Sequence, residues 1–125
     1  MNCTTCHVDK LEGDFYLDRA RPRLRCKSCT RRVIRVAHWR SRGINVSWQE
    51  FETQYNLQGG LCGICQIKVK LDSEYKTDSA VLDHDHETMR FRGILCNNCN
   101  RALGLLSDNL VSLKAAVAYL QKDTN

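Results

Sequence analysis

The chain has 125 residues, of which 26% are charged and 42% hydrophobic, and its formal net charge is +5. This length supports one domain, or a compact domain with an appendage, whose core is small enough that additional cross-links are expected. The first 18 residues contain four acids and no apolar run, which argues against a secretory signal, and no segment is long enough to span a membrane. We therefore expect an intracellular, cytoplasmic protein without a membrane partner.

The eight cysteines all fall in C-x-x-C pairs, and in a reducing compartment their thiolates are available to a metal. This spacing presents two sulfurs on one side of a tight turn, which suits a tetrahedral zinc ion. A disulfide framework is the alternative, but it does not explain four repeated pairs. We predict two structural zinc ions with local pairing; interleaved pairing would close longer loops at a higher entropic cost. The ligand sets are Cys3, Cys6, Cys26 and Cys29, and then Cys62, Cys65, Cys96 and Cys99.

Zinc binding changes the meaning of the net charge. Four thiolates around a divalent ion carry −2, so two such sites lower the formal +5 by 4 and leave about +1. The distribution of charge is more informative. Residues 19–42 hold ten basic residues and no acid, whereas the remaining chain holds nine basic residues and 14 acids. The sequence therefore predicts a local basic patch rather than a generally basic protein.

The amino-terminal half is predicted to begin with a zinc ribbon or knuckle over residues 1–30, with a hairpin-like insert around Phe15-Tyr16-Leu17. A helix over about 31–42 follows, capped by Thr30 and ended by Gly43. A second helix begins at the capping box Ser47-Trp48-Gln49-Glu50 and extends to about Asn56. We interpret its aromatic face as core rather than as a platform for stacking bases. That face consists of Trp48, Phe51 and Tyr55.

The carboxy-terminal half starts after the chain break predicted at Gly59-Gly60. Residues 80–86 are predicted to form a strand, 87–90 a turn and 91–96 a returning strand, with a short helix over 99–105. A last helix is capped by Ser107 or Asp108. Its predicted buried stripe consists of Leu110, Leu113, Val117 and Leu120. The predicted domains are a zinc module with a basic helix, 1–43, and a second domain, 44–125.

The chemically distinctive residues are the run Asp83-His84-Asp85-His86 and Asn100, which directly follows the last cysteine of the second set. Four sulfur ligands leave zinc no open position, so we expect the zinc to be structural and to fix Asn100 in place. Asp83 and Asn100 offer oxygen ligands for a hard ion such as Mg²⁺ or Mn²⁺. The imidazole of His84 titrates near neutrality and can take a proton from an attacking water.

Simpler interpretations of the same residues remain open. The histidines of the acid–histidine run could be zinc ligands, although the eight cysteines already account for two ions. Asn100 taken alone would be read as a helix cap. Strand alternation would also point Asp83 and His84 to opposite faces, so a bend or bulge is expected if both are to reach one phosphate.

Three segments in order, Gly60–Cys65, Leu82–His86 and Arg92–Asn100, resemble the recombination endonuclease VII family of phage nucleases, a branch of the His-Me finger (HNH) group. The likeness covers about residues 47–121, and an amino-terminal module like residues 3–29 also occurs in family members. It implies that Asp83 and Asn100 bind the catalytic ion, that His84 is the general base and that His86 contacts the scissile phosphate or assists the leaving group. The family's turn glycine is missing from 87–90, and Leu103 stands where some members have an acid.

The resulting fold prediction is a small zinc-stapled α+β protein with a ββα-metal core and an amino-terminal zinc ribbon or knuckle. The resemblance implies a divalent-metal-dependent endonuclease that hydrolyses phosphodiester bonds in DNA, either branched or with weak sequence preference. A sequence-specific restriction or homing enzyme, a non-catalytic zinc-finger DNA binder and an RNA-directed nuclease are the alternatives. Cutting both strands usually needs two active sites, which raises a homodimer as an option. If the chain is phage-encoded, its location is the host cytoplasm. The expected DNA-binding residues are Arg31, Arg32, Arg35, Arg40, Arg42 and Arg92.

Overall fold

Residues 1–122 are described by a computed structural model that contains four α-helices and two two-stranded sheets. The chain divides into two compact units. The amino-terminal unit comprises Met1–Gln54 together with His84–Phe91, and the carboxy-terminal unit comprises Tyr55–Asp83 and the chain from Arg92 onward. The mixed α+β class predicted from the sequence is confirmed. The elements in chain order are β1 (Phe15–Asp18), β2 (Arg21–Cys26), α1 (Lys27–Ser41), α2 (Trp48–Leu57), β3 (Val81–His84), β4 (Phe91–Leu95), α3 (Asn97–Leu105) and α4 (Leu110–Gln121).

The amino-terminal unit is built on two small clusters. Antiparallel β1 and β2 pack Phe15 against the buried cysteines of the first set. Further along, Phe51 is fully buried and its ring centroid lies 4.9 Å from Trp39 and 5.3 Å from Trp48. The prediction that the aromatic face of α2 belongs to a core is therefore confirmed for Trp48 and Phe51. Ser47 caps this helix as predicted, because its Oγ accepts from the backbone N–H of Glu50 at 3.1 Å.

The connection between β3 and β4 belongs to the amino-terminal unit and is tightened by Asp85. One oxygen of its carboxylate accepts from the N–H groups of Glu87 and Thr88, at 2.8 and 2.9 Å. Met89 takes a positive φ of 62°, a left-handed conformation that glycine adopts more easily. The turn therefore forms without a glycine, since the Asp85 side chain bonds the backbone N–H groups within the turn.

The carboxy-terminal unit has a core formed around the second cysteine set and includes Val69, Ala80, Leu82 and Ile94. The side chain of Gln58, which the sequence does not mark as important, bonds to the backbone of Ile94 in this unit. Its Oε1 accepts from the N–H of Ile94 at 2.9 Å, and its Nε2 donates to the carbonyl of Ile94 at 2.8 Å. Its Nε2 also donates to the carbonyl of Leu61 at 2.9 Å. The side chain thus pairs with β4 as a neighbouring strand would.

Three predicted helix starts were wrong, and all three concern caps. α1 begins at Lys27 and α3 at Asn97, because the Sγ atoms of Cys26 and Cys96 accept the capping bonds from Cys29 and Cys99. Thr30 therefore lies inside α1, and Asn100 lies inside α3 rather than at its cap. α4 is capped by Asn109, whose Oδ1 accepts from Val111 and Ser112, and not by Ser107 or Asp108.

The predicted buried stripe of the last helix was also wrong. Leu110, Val117 and Leu120 are 64%, 55% and 68% exposed, and Leu113 is half-buried. Periodicity identifies an apolar face but not what covers it, and no residue of α4 is buried. No single helix within residues 1–122 is long and apolar enough to cross a membrane; α3 and α4 together meet that test only as a pair bent by 104°.

Candidate active site and zinc centres

The first cysteine set forms a cluster in the amino-terminal unit. The Sγ atoms of Cys3, Cys6, Cys26 and Cys29 all lie within 4.8 Å of one another. The N–H groups of Thr5 and Cys26 point at the sulfur of Cys3, at 3.4 and 3.3 Å. Such N–H···S bonds stabilise thiolates, so the cluster presents soft, anionic donors of the kind that zinc prefers.

The second set forms an equivalent cluster in the carboxy-terminal unit. The sulfurs of Cys62, Cys65, Cys96 and Cys99 also lie within 4.8 Å of one another. Cys65 and Cys96 are separated by 3.7 Å, close to the edge of roughly 3.8 Å that a tetrahedron with Zn–S bonds of about 2.3 Å would have. Both clusters therefore fit structural zinc with the predicted local pairing.

The two clusters share more than cysteine spacing. In each, an isolated bridge joins the residue before the first cysteine to the third residue after the second, Asn2 with Asp9 and Leu61 with Lys68. In each, the residue after the second cysteine has a positive φ, 58° at His7 and 66° at Gln66. A two-stranded sheet and a cysteine-capped helix then follow in both units. The two zinc modules thus have the same local architecture.

The thiol pKa values differ within each cluster for a physical reason. Burial opposes ionisation of Cys3 and Cys62, but backbone N–H groups outweigh it and lower their pKa values to about 5 and about 6. Burial and the neighbouring sulfurs raise the pKa values of Cys29 and Cys99 to about 12. Without a cation, one thiol ionises readily and another resists. A divalent ion would remove the repulsion that holds back the last proton.

The second module carries the predicted ββα element. β3 and β4 pair as one sheet, and α3 follows after Cys96, so the arrangement predicted over residues 80–105 is confirmed. Asp83 and His84 are the last two residues of β3. Asn100 is half-buried on α3, and its N–H donates to the carbonyl of Cys96 at 3.1 Å. Asp83 and Asn100 therefore lie in one unit. Asn100 directly follows Cys99 of the second cysteine set, and Asp83 lies on β3, which pairs with the strand that ends one residue before Cys96.

Asp83 is the buried carboxylate of this element, with 8% of the residue exposed. Arg92 on β4 holds it through two bonds, Nε to Oδ2 at 2.8 Å and Nη2 to Oδ1 at 3.0 Å. Arg92 also contacts Asp108, and hydrogen bonds from its guanidinium to Asp83 and then Asp108 raise its pKa. Asp83 and Arg92 line a cavity of about 410 Å³ together with Leu103. A carboxylate has about four lone-pair sites, so Asp83 can bind the arginine and still offer a ligand to a cation.

The histidines of the predicted site lie in the amino-terminal unit. His84 is half-buried and His86 is exposed, and their ring centroids are 4.8 Å apart. Because β3 ends at His84, strict strand alternation does not continue beyond it. The arrangement gives two imidazoles at one end of the strand, and an imidazole can accept or donate a proton.

The predicted DNA-binding arginines have unequal surroundings. Arg35 lies over the rings of Trp39, Trp48 and Phe51, at 5.4, 5.4 and 4.9 Å, and Arg32 lies 5.3 Å from Trp48. Arg40 and Arg42 are exposed near the end of α1, and Arg31 is half-buried on the same helix. The roles of Gln58 and of Asp108 as a partner of Arg92 are not predicted by the sequence, which offers Asp108 only as a candidate helix cap.

Comparison with known proteins gives the family. The profile of the family described as recombination endonuclease VII matches residues 37–122. The chain is 37% identical over 78 residues to the gene 59 protein of Mycobacterium phage D29, covering 62% of this chain and 44% of the relative. It is 37% identical over 76 residues to the gene 59 protein of Mycobacterium phage L5, covering 60% and 43%.

The chain thus spans less than half the length of these phage relatives. A solved structure, that of the ββα-Me type II restriction endonuclease Hpy99I, aligns at a TM-score of 0.43 with 26% identity, over 96% of this chain and 64% of that one. The family match extends over well more than half of the chain and includes the second zinc module and the acid–histidine run. This protein belongs to the recombination endonuclease VII family.

Proposed function

We propose that the chain is a divalent-metal-dependent endonuclease that hydrolyses phosphodiester bonds in DNA. The observation that carries the proposal is the ββα element, in which Asp83 and His84 are the last residues of β3 and Asn100 lies in α3. Family membership supports the same reaction class. A merely structural zinc finger would need neither a buried carboxylate nor a histidine beside it in the strand.

The donor set of Asp83 and Asn100 fits a hard divalent ion. A carboxylate and an amide oxygen are the ligands that Mg²⁺ and Mn²⁺ prefer, and Mg²⁺ commonly binds with only one or two protein carboxylates. The zinc clusters supply no site for this ion, because four sulfurs occupy all positions of a tetrahedral zinc. When bound, the ion would stabilise the negative charge that grows on the phosphate in the transition state.

The protein side chains would then move the protons. His84 takes a proton from the water whose oxygen forms the new bond to phosphorus, while the bond from phosphorus to the leaving sugar oxygen breaks. His86 contacts the phosphate or helps the leaving oxygen regain a proton. Asp85 has a different role, since its carboxylate bonds the backbone of the turn that carries both histidines.

The basic segment supplies the DNA-binding surface in this proposal. β2 presents Arg21, Arg23 and Arg25 at alternating positions, all of them exposed, so they share one face of the strand. On α1 and just after it, Arg40 and Arg42 are exposed as well. Arginines of this kind contact phosphates and give salt-dependent affinity without reading sequence. We accordingly propose a weakly specific or branch-directed enzyme, as a monomer or homodimer, in an intracellular compartment where the thiols stay reduced.

Cleavage assays on defined substrates test this proposal. The zinc-loaded chain is incubated with plasmid, linear duplex, a synthetic four-way junction, single-stranded DNA and RNA, with Mg²⁺, with Mn²⁺ and without either ion. We expect cutting of DNA only when a divalent ion is added, with cut positions that are scattered or placed at the branch. Cutting at one repeated sequence would favour a restriction or homing enzyme instead. Binding without cutting under every ion would contradict the enzyme assignment.

The substitution His84→Ala tests the assigned base. We expect loss of cleavage with unchanged zinc content and DNA affinity, because His84 is not a zinc ligand here and general-base catalysis contributes about 10²–10⁴-fold. His38→Ala is the matched control, since His38 is an exposed histidine of α1, and it should cut like the parent. Retained cutting by His84→Ala would move the base role to another group, with His86 tested next.

A further inference from the structure

Three charged side chains of the carboxy-terminal unit form one network, of which the proposed chemistry uses only Asp83. Arg92 lies between two carboxylates. It contacts Asp83 at 2.8 and 3.0 Å and Asp108 at 2.8 and 3.0 Å. All three guanidinium nitrogens therefore contact a carboxylate oxygen. Pairs of this bidentate kind are geometrically specific, so the network fixes the plane of the Asp83 carboxylate.

The position of Asp108 depends on an unusual backbone. It lies in the short connection between α3 and α4, where Ser107 and Asp108 both have a φ of 55°. Two consecutive left-handed residues without a glycine are uncommon. The connection is held by the N–H of Asp108 donating to the carbonyl of Leu103 at 2.8 Å. This reversal leaves the Asp108 side chain only 20% exposed and directed at Arg92.

The network also sets the charge beside the proposed metal ligand. Asp83 and Arg92 alone would form a neutral pair, which attracts a divalent cation poorly. With Asp108 included, the three side chains sum to −1, and part of the positive charge of Arg92 is directed away from Asp83. The Asp83 oxygens keep lone pairs that the arginine does not use. A cation at Asp83 would therefore meet a net negative site.

We propose that Arg92 and Asp108 are positioning residues for Asp83: Arg92 orients its carboxylate, and Asp108 neutralises Arg92 so that a divalent ion can bind there. This inference rests on the proposed function in one respect, the assignment of Asp83 as a ligand of the catalytic ion. It also gives Arg92 a role different from the phosphate contact expected from the sequence, because its nitrogens are already occupied by carboxylates.

Binding of Mn²⁺ alone, followed by electron paramagnetic resonance on the zinc-loaded full chain, tests the proposal without any need for cleavage. Asp108→Asn keeps the shape of the side chain and removes its charge, and we expect Mn²⁺ affinity to fall by roughly tenfold. Asp78→Asn is the matched control, because it removes the same charge from a carboxylate of this unit that pairs with Lys70 instead. Its Mn²⁺ affinity should equal that of the parent, and Asp83→Asn should abolish the site.

Arg92→Gln separates positioning from DNA contact. We expect its Mn²⁺ affinity to be equal or higher, its cleavage rate to fall, and the salt dependence of its DNA affinity to stay unchanged. A lost phosphate contact would instead lower the slope of log affinity against log salt by about 0.9. A slope change of that size, or equal Mn²⁺ affinity for Asp108→Asn and the parent, overturns the proposal. So does Mn²⁺ binding that survives Asp83→Asn.

The two proposals can fail separately. If Asp108→Asn weakens Mn²⁺ binding as expected but the parent chain cuts no nucleic acid, the positioning network stands and the endonuclease assignment fails. If the parent cuts DNA while Asp108→Asn binds Mn²⁺ normally, the endonuclease assignment stands and the network is purely structural.

Discussion

Replacing Gln58 by alanine removes a side chain that pairs with β4 as a neighbouring strand would. Three bonds are lost: Ile94 N–H to Oε1 at 2.9 Å, and Nε2 to the carbonyls of Ile94 and Leu61 at 2.8 and 2.9 Å. The carbonyl of Ile94 keeps a bond from the N–H of Gly63 at 3.0 Å. The N–H of Ile94, in a residue only 1% exposed, loses the acceptor that Gln58 provides.

These losses set the expected magnitude. An unsatisfied buried group costs about 1–3 kcal/mol and a lost hydrogen bond about 1 kcal/mol. We therefore expect Gln58→Ala to lower the free energy of unfolding by about 2–4 kcal/mol, which corresponds to a Tm lower by roughly 10 °C. Gln58→Glu keeps the size of the side chain but turns an oxygen toward two carbonyls. It should be destabilising to a similar degree at neutral pH, which would assign the loss to hydrogen bonding rather than volume.

The assay is thermal unfolding at a fixed excess of zinc, combined with hydrogen exchange at the Ile94 amide. Gln49→Ala is the matched control, because Gln49 is an exposed glutamine of α2, and it should change stability by less than about 0.5 kcal/mol. A loss below 1 kcal/mol for Gln58→Ala, or an Ile94 amide that exchanges no faster, would refute the reasoning.

Three further predictions concern zinc, the aromatic cluster and a cap. Cys99→Ser should lower the bound zinc from two ions to one per chain and unfold the carboxy-terminal unit, because metal binding and folding are coupled. Elemental analysis measures the zinc content and circular dichroism the unfolding. Two retained zinc ions would contradict the prediction. Phe51→Ala should cost about 3–5 kcal/mol, because Phe51 is fully buried and packs against both Trp39 and Trp48. A denaturant midpoint close to that of the parent would be incompatible with this packing. Ser47→Ala should cost about 1 kcal/mol through the lost cap of α2, and Ser47→Gly less; equal stability of parent and alanine variant would show that the 3.1 Å bond contributes nothing.

The zinc clusters were predictable because their determinants are local. A C-x-x-C pair places two sulfurs on one turn whatever the rest of the chain does, and the structure brings each set of four together as predicted. The same holds for β3, β4 and the cap at Ser47, where alternation and capping chemistry act within a few residues. The helix caps at Cys26 and Cys96 were missed because a cysteine sulfur, rather than the usual hydroxyl or carboxylate, accepts the capping bond.

The sequence by itself thus determined the cysteine sets, the ββα element and the residues proposed for chemistry, since each depends on spacing along the chain. Only the tertiary structure decided what surrounds them. The bonds from Gln58 to Ile94 connect residues 36 positions apart. The bonds from Arg92, on β4, join Asp83 on β3 to Asp108 in the connection after α3. Only the tertiary structure likewise decided that the apolar face of α4 is exposed, because a hydrophobic period specifies which side of a helix is apolar and not what packs against it. Contacts between distant residues depend on how the folded elements meet, and no local pattern encodes that.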